Sequence, residues 1–302
     1  MKQPYWIVKT VNRIFIAGIL VLCTATAFTQ QKKKAAPTPV PESIVETLDV
    51  DFAIYGDRAV QLDLYAPKET TKLRPGIVLI HGGGWIGGSR KAFRNTAMRL
   101  ATEGFVVANI DYRLATEAKF PGCVSDAKAA IRWMRAHAKQ NGMDPGTIYA
   151  IGGSAGGHLA AMVATSPGKF EGEGGWADQS SAVSGVVMMG AGVDQVTRAR
   201  ESKSGSVKSC VIFFGGEYSE KPEIYAAGSP ITHISKETPP ILFLDGEFDN
   251  PGKRYVKMQG ELDELGVSHK LVVIPSAKHG QWGREPWKTP FENAMLEFLR
   301  SR

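Results

Sequence analysis

Six short, continuously apolar runs alternate with helix-like segments between residues 77 and 274, and no other feature restricts the fold as tightly. The runs cover residues 77–80, 105–110, 148–151, 183–189, 241–244 and 271–274. They are rich in Val, Ile and Leu, are bounded by turn residues, and are too short to be helices. Strands that are apolar on both faces need a covering layer on each side, and alternation with helices implies a mostly parallel sheet. Upstream, residues 50–55 and 60–65 alternate in polarity around Gly56-Asp57, which predicts an antiparallel hairpin. The expected class is therefore α/β, with a mostly parallel eight-stranded sheet, helices on both faces and an N-terminal antiparallel hairpin. Residues 124–139 give the clearest helix, with Ala127, Ala130, Ile131 and Met134 on one face and a stop near Asn141-Gly142.

A chain of 302 residues, 43% hydrophobic and 22% charged, suits one large globular domain. Its net charge of +6 comes from the N-terminus, because residues 1–41 carry six Lys or Arg and no Asp or Glu. The remainder is neutral, which removes the basic surface that a nucleic-acid partner requires. Lys2, Lys9 and Arg13 precede an apolar run over residues 14–23, and Ala25-Thr26-Ala27 fits a cleavage site, so residues 1–27 read as an export signal. The apolar run falls short of the roughly 20 residues of a membrane span, which disfavours an uncleaved anchor. Leu22 before Cys23 disfavours a lipoprotein. The mature protein is expected to be secreted or periplasmic, with no lasting membrane partner. Residues 28–41, with three lysines and alternating prolines, read as a linker, and residues 42–302 as the catalytic domain. Cys123 and Cys210 permit one disulfide and require none.

The chemistry gathers at the C-terminal ends of the predicted strands, where ligand sites of open parallel sheets lie. Gly152-Gly153-Ser154-Ala155-Gly156 follows the strand ending at Ile151 and precedes an apolar helix. Alone, a G-x-S-x-G is weak evidence in a chain with 33 glycines; the strand-turn-helix setting makes Ser154 the candidate nucleophile. His81-Gly82-Gly83-Gly84-Trp85 follows the third strand, where bared amides can stabilise an oxyanion. The backbone N–H groups of Gly83, Gly84 and Ala155 are the candidates, with His81 orienting the loop. Of six histidines, His279 sits in the loop after the last strand and satisfies the order Ser, acid, His. Asp249 is the favoured acid because it lies well past its strand end, whereas Asp245 reads as a turn cap and Asp194 is the outside alternative. The segment 166–240 follows no recognised pattern, and residues around 166–235 are expected to form variable loops or a small lid. Trp85, Trp176 and Trp282 are candidates to line an aromatic or sugar pocket, with core packing the alternative for each.

Taken together, His81-Gly82-Gly83-Gly84-Trp85, Asp111-Tyr112-Arg113-Leu114, Phe120-Pro121 with Asp126, Asp144-Pro145 and the Ser154 motif through Leu159 resemble the HGGG-type esterases related to hormone-sensitive lipase. The resemblance is greatest to the bacterial feruloyl and acetyl-xylan esterase branch. It implies an α/β-hydrolase fold, a Ser154, Asp249, His279 triad, no metal and no cofactor, and structural roles for Arg113 and Asp126. It also implies a small-molecule or oligosaccharide ester as substrate. The chain departs from the branch after Asp249, where Asn250-Pro251-Gly252 replaces the usual valine-proline ending. A serine peptidase of the same fold, a long-chain lipase and a non-catalytic ligand-binding relative are the competing readings.

Overall fold

All eight expected strands are present in the computed structural model, which describes residues 38–69, 71–201 and 206–301. The export signal and most of the linker lie outside the described residues. The strands are β1 (Ile44–Tyr55), β2 (Arg58–Pro67), β3 (Arg74–Ile80), β4 (Val106–Ile110), β5 (Met143–Gly153), β6 (Gly185–Met189), β7 (Ile241–Gly246) and β8 (His269–Ile274). They form one sheet in the order β1-β2-β4-β3-β5-β6-β7-β8. The pairs β1/β2 and β2/β4 are antiparallel and the other five are parallel, so the hairpin joins the sheet edge through an antiparallel contact of its own.

The helices are α1 (Arg94–Thr102), α2 (Gly122–Ala136), α3 (Ala155–Thr165), α4 (Gln195–Glu201), α5 (Ser206–Phe214), α6 (Pro222–Ala227), α7 (Pro251–Arg254), α8 (Val256–Leu265) and α9 (Lys288–Arg300). Alternate strand residues enter two separate cores, as a pleated strand covered on both faces requires. Val78, Ile80, Val186 and Met188 meet α2, α3 and α8 on one face, while Ile77, Leu79, Val187 and Met189 meet α1 and α9 on the other. The predicted helix over 124–139 is α2, which stops three residues early; a short 3-10 turn follows and ends on Gly142 at φ 62°.

One expectation, about the N-terminal margin of the domain, changes. Val40 packs on the α1/α9 core, and the Thr38 carbonyl accepts a hydrogen bond from Arg94 at 2.7 Å, so the packed chain begins inside the presumed linker. Cys123 and Cys210 are both buried and free, so the permitted disulfide does not form. No described helix is long and apolar enough to cross a membrane.

Candidate active site

Ser154 occupies the turn between β5 and α3 with φ 55° and ψ −120°, a conformation that costs an L-residue of order 1–3 kcal/mol. Two features hold it there. Its N–H donates to the Met189 carbonyl at 2.6 Å, and its glycine neighbours let backbones approach that a side chain would separate. A Cβ on Gly152 would lie 2.2 Å from the Gly156 oxygen, and one on Gly156 would lie 2.0 Å from the Ile80 oxygen.

His279, in the loop after β8, has Nε2 at 2.9 Å from Ser154 Oγ and Nδ1 at 2.7 Å from Asp249 Oδ2. The three residues thus form one hydrogen-bonded line, drawn from the ends of β5, β7 and β8. Trp282 supports it from below, with its ring edge-on to His279 at 5.1 Å and close beneath Gly153. Asp249 is nearly buried. Burial pushes its carboxyl up, but hydrogen bonds from His279 and Arg254 outweigh that and hold it below the ordinary carboxylate range. It therefore stays ionised at neutral pH and fixes the proton of His279 on Nδ1, leaving Nε2 to accept from the serine.

Arg254 was not legible in advance. Its guanidinium bridges Asp249 Oδ1 at 2.5 Å and the fully buried Asp245 Oδ2 at 3.0 Å. Asp245 does not cap a turn. It accepts from the Gly190 N–H at 2.6 Å and from the Tyr255 hydroxyl at 3.0 Å, which ties β6 and α7 to β7. Burial pushes its carboxyl up to about 6 despite Arg254. Asp194 caps α4 instead of serving His279, accepting from the Thr197 N–H and hydroxyl at 2.9 Å each, with Lys257 at 3.3 Å.

The glycine loop after β3 turns at Gly83, Gly84 and Trp85, with φ of 128°, 60° and 63°. Gly84 and Ala155 line the same cavity as Ser154, whereas Gly83 lies one step back in the turn, its carbonyl accepting from Ile86 and Gly87. Ala155 opens α3, so its N–H has no carbonyl partner within the helix. His81 is buried behind the loop with Nδ1 at 2.7 Å from the Gly82 oxygen and its ring stacked on Tyr112. Arg90 anchors the far end of the loop, donating from Nε to Asp63 at 2.8 Å and from its other guanidinium nitrogens to Asp111 and Asp49. Arg113 binds the fully buried Asp126 through both backbone and guanidinium, away from the reacting atoms.

Trp85 borders the cavity and is nevertheless a core residue, stacked on Phe213 at 4.5 Å and donating to His158 Nδ1 at 3.2 Å. Burial pushes the His158 imidazole down to about 4, so it is neutral, with its Nε2 proton on the Gly228 carbonyl. Trp176 packs edge-on to His137, and neither it nor Trp282 lines the cavity. Two parts of the expected lid region have distinct places. Residues 166–184 lie against α2, where Glu171 accepts from Lys128 and Arg132. Residues 194–201 form a wall of the cavity, which measures about 480 Å³. No cluster of His, Cys, Asp and Glu among the described residues has the arrangement of a metal site.

Among curated proteins, the chain is 32% identical to Esterase LipC of Mycobacterium tuberculosis over 238 residues, covering 75% of this chain and 58% of that one. The chain therefore spans less than two thirds of that relative's length. Among solved structures it superposes on a truncated carbohydrate esterase from gut microbiota with a TM-score of 0.76 at 27% identity, covering 85% of this chain and 95% of the other. A propionate-bound thermophilic esterase of the planctomycete Thermogutta terrifontis gives 0.71 at 29% identity, covering 86% and 96%. These superpositions show the α/β-hydrolase fold. The sequence model of the BD-FAE family matches residues 62–254, and this chain is a member of that family.

Proposed function

We propose that this protein is a serine hydrolase of carboxylic esters, acting through an acyl-enzyme on Ser154. The observation that carries the reading is the hydrogen-bonded line Asp249, His279, Ser154 opening into a cavity. Ser154 Oγ attacks the ester carbonyl carbon as its proton moves to His279 Nε2. The carbonyl oxygen takes up the negative charge beside the N–H groups of Gly84 and Ala155, with Gly83 as the third candidate donor. The ester C–O bond then breaks and the alcohol leaves with the proton from His279. A water molecule, deprotonated by the same Nε2, attacks the acyl carbon and releases the acid and Ser154. Asp249 stabilises the imidazolium formed in each half-reaction.

One structural neighbour is a carbohydrate esterase, and another binds propionate. The first supports an ester on a sugar and the second a short acyl group; aromatic acids and plant polysaccharide esters are what the sequence resemblance adds. We further infer that residues 1–27 direct export and are removed. The test is hydrolysis of 4-nitrophenyl acetate, butyrate and octanoate by the chain and by its Ser154→Ala variant. The expected result is turnover fastest on the short esters and lowered by at least about a thousandfold in the variant. Equal, negligible rates for both would return the chain to a peptidase or ligand-binding reading.

A further inference from the structure

Among the described residues, three cations line the cavity beside Ser154: Arg198 from α4, and Lys253 and Arg254 from α7. Two have acidic partners. Arg254 is bound by Asp245 and Asp249, and Lys253 lies 3.9 Å from Glu201. Arg198 has no carboxylate within 4.0 Å. Every Asp and Glu of the chain falls among the described residues, so this holds for all side-chain carboxylates. Asp194, one turn earlier on the cavity wall, is already engaged by Thr197 and Lys257.

The Arg198 side chain is nonetheless held in place. Its guanidinium carbon lies 5.6 Å from the centre of the Trp85 ring, and Nη1 lies beside Gly192, where a Cβ would meet it at 3.3 Å. Trp85 is itself fixed by His158 and Phe213. A half-buried guanidinium on an ordered aromatic face, without an acid, has lost part of its hydration and gained no ion pair in return. Ordering of this kind in the free protein lowers the cost of binding an anion there.

We propose that Arg198 is the recognition residue for a carboxylate that the substrate carries within the same cavity as its scissile ester. The assignment deepens the ester-hydrolase reading and rests on it for the position of the scissile bond. The planar guanidinium fork matches a carboxylate in a way an ammonium does not. Asp194 and Glu201 face the same cavity but are matched by Lys257 and Lys253, so the unmatched charge on this wall is positive.

Two matched pairs of probes distinguish where the carboxylate sits. On the acyl side, 4-nitrophenyl hydrogen adipate is compared with 4-nitrophenyl hexanoate; on the alcohol side, 3-acetoxybenzoate is compared with 3-acetoxybenzamide. In at least one arm, kcat/KM for the anionic ester is expected to exceed that for its neutral match by about tenfold. That ratio falls by about tenfold in Arg198→Gln and by less in Arg198→Lys. Ratios at or below one in both arms, or ratios unchanged by Arg198→Gln, would overturn the assignment. A binding comparison keeps the outcome independent of turnover. Calorimetry with adipate and 3-hydroxybenzoate on Ser154→Ala, beside the Ser154→Ala, Arg198→Gln double variant, is expected to show about tenfold weaker binding of one of them in the latter. Equal affinities overturn the assignment. Absence of all ester turnover would sink the ester-hydrolase reading, and the binding comparison would still decide the role of Arg198.

Discussion

At Gly190, an added Cβ would lie 2.7 Å from Asp249 Oδ2 and 2.8 Å from His279 Nδ1, and the residue sits at φ 60°. The bare backbone at the end of β6 is therefore the surface against which the acid and the histidine meet. Gly190→Ala is expected to lower kcat/KM by roughly a hundredfold, because catalytic groups displaced by about 1 Å lose that much. It is also expected to cost about 1–3 kcal/mol in urea unfolding from the positive φ. Asp245 gives a pH-dependent prediction. Its folded carboxyl titrates near 6, above its ordinary value of 3.8, so it binds a proton more tightly when folded. The resulting stability is full below the unfolded value and is lost as pH rises through about 6. Melting temperatures of the protein and of Asp245→Asn between pH 4 and 7 test this: the protein's advantage over the variant shrinks as pH rises. The depressed Asp249 acts in the opposite direction but is present in both chains and largely cancels. Ser154 and His279 were legible because a nucleophile turn and a post-strand loop have local signatures. Gly190 and Arg254 were not, since the groups they serve lie on other strand ends and no spacing in the sequence announces them.

Among elements, the loop after β3 depends on an ion network as much as on its glycines. Arg90 is buried among Asp63 of β2, Asp111 beyond β4 and Asp49 of β1, and its carbonyl accepts from Asn109 at 2.6 Å. Arg90→Met would leave the buried Asp63 without its cation, at a cost of about 3–5 kcal/mol in chemical unfolding. A change under about 1 kcal/mol would mean that water replaces the guanidinium freely. The strands were readable because continuous apolar runs and the alternating hairpin follow directly from burial on two faces or one. The region 166–235 was not, because its contacts are idiosyncratic: Glu171 on Lys128 and Arg132, Trp176 on His137, Trp85 on Phe213. Each is a pairing with no period, and the region accordingly supplies a segment packed on α2 and, separately, a wall of the cavity.

For the whole molecule, the packed boundary falls before Glu42. A chain beginning at Thr38 is expected to be more stable than one beginning at Glu42 by about 1 kcal/mol, from Val40 burial and the Thr38 to Arg94 hydrogen bond. Equal melting temperatures would make these contacts incidental. On the proposed export, the mature protein is expected to begin at Phe28, which N-terminal sequencing reads directly; an intact Met1 would overturn that proposal. The site itself is stitched from strand ends far apart in the chain, with Gly84 after β3, Ser154 after β5, Asp249 after β7 and His279 after β8. No contiguous fragment short of that span holds all four groups. Turnover would therefore report completion of the sheet rather than formation of any part of it, and an incompletely folded chain is expected to be chemically silent. In a refolding time course, ester hydrolysis is therefore expected to appear no earlier than the tryptophan signal of the packed domain.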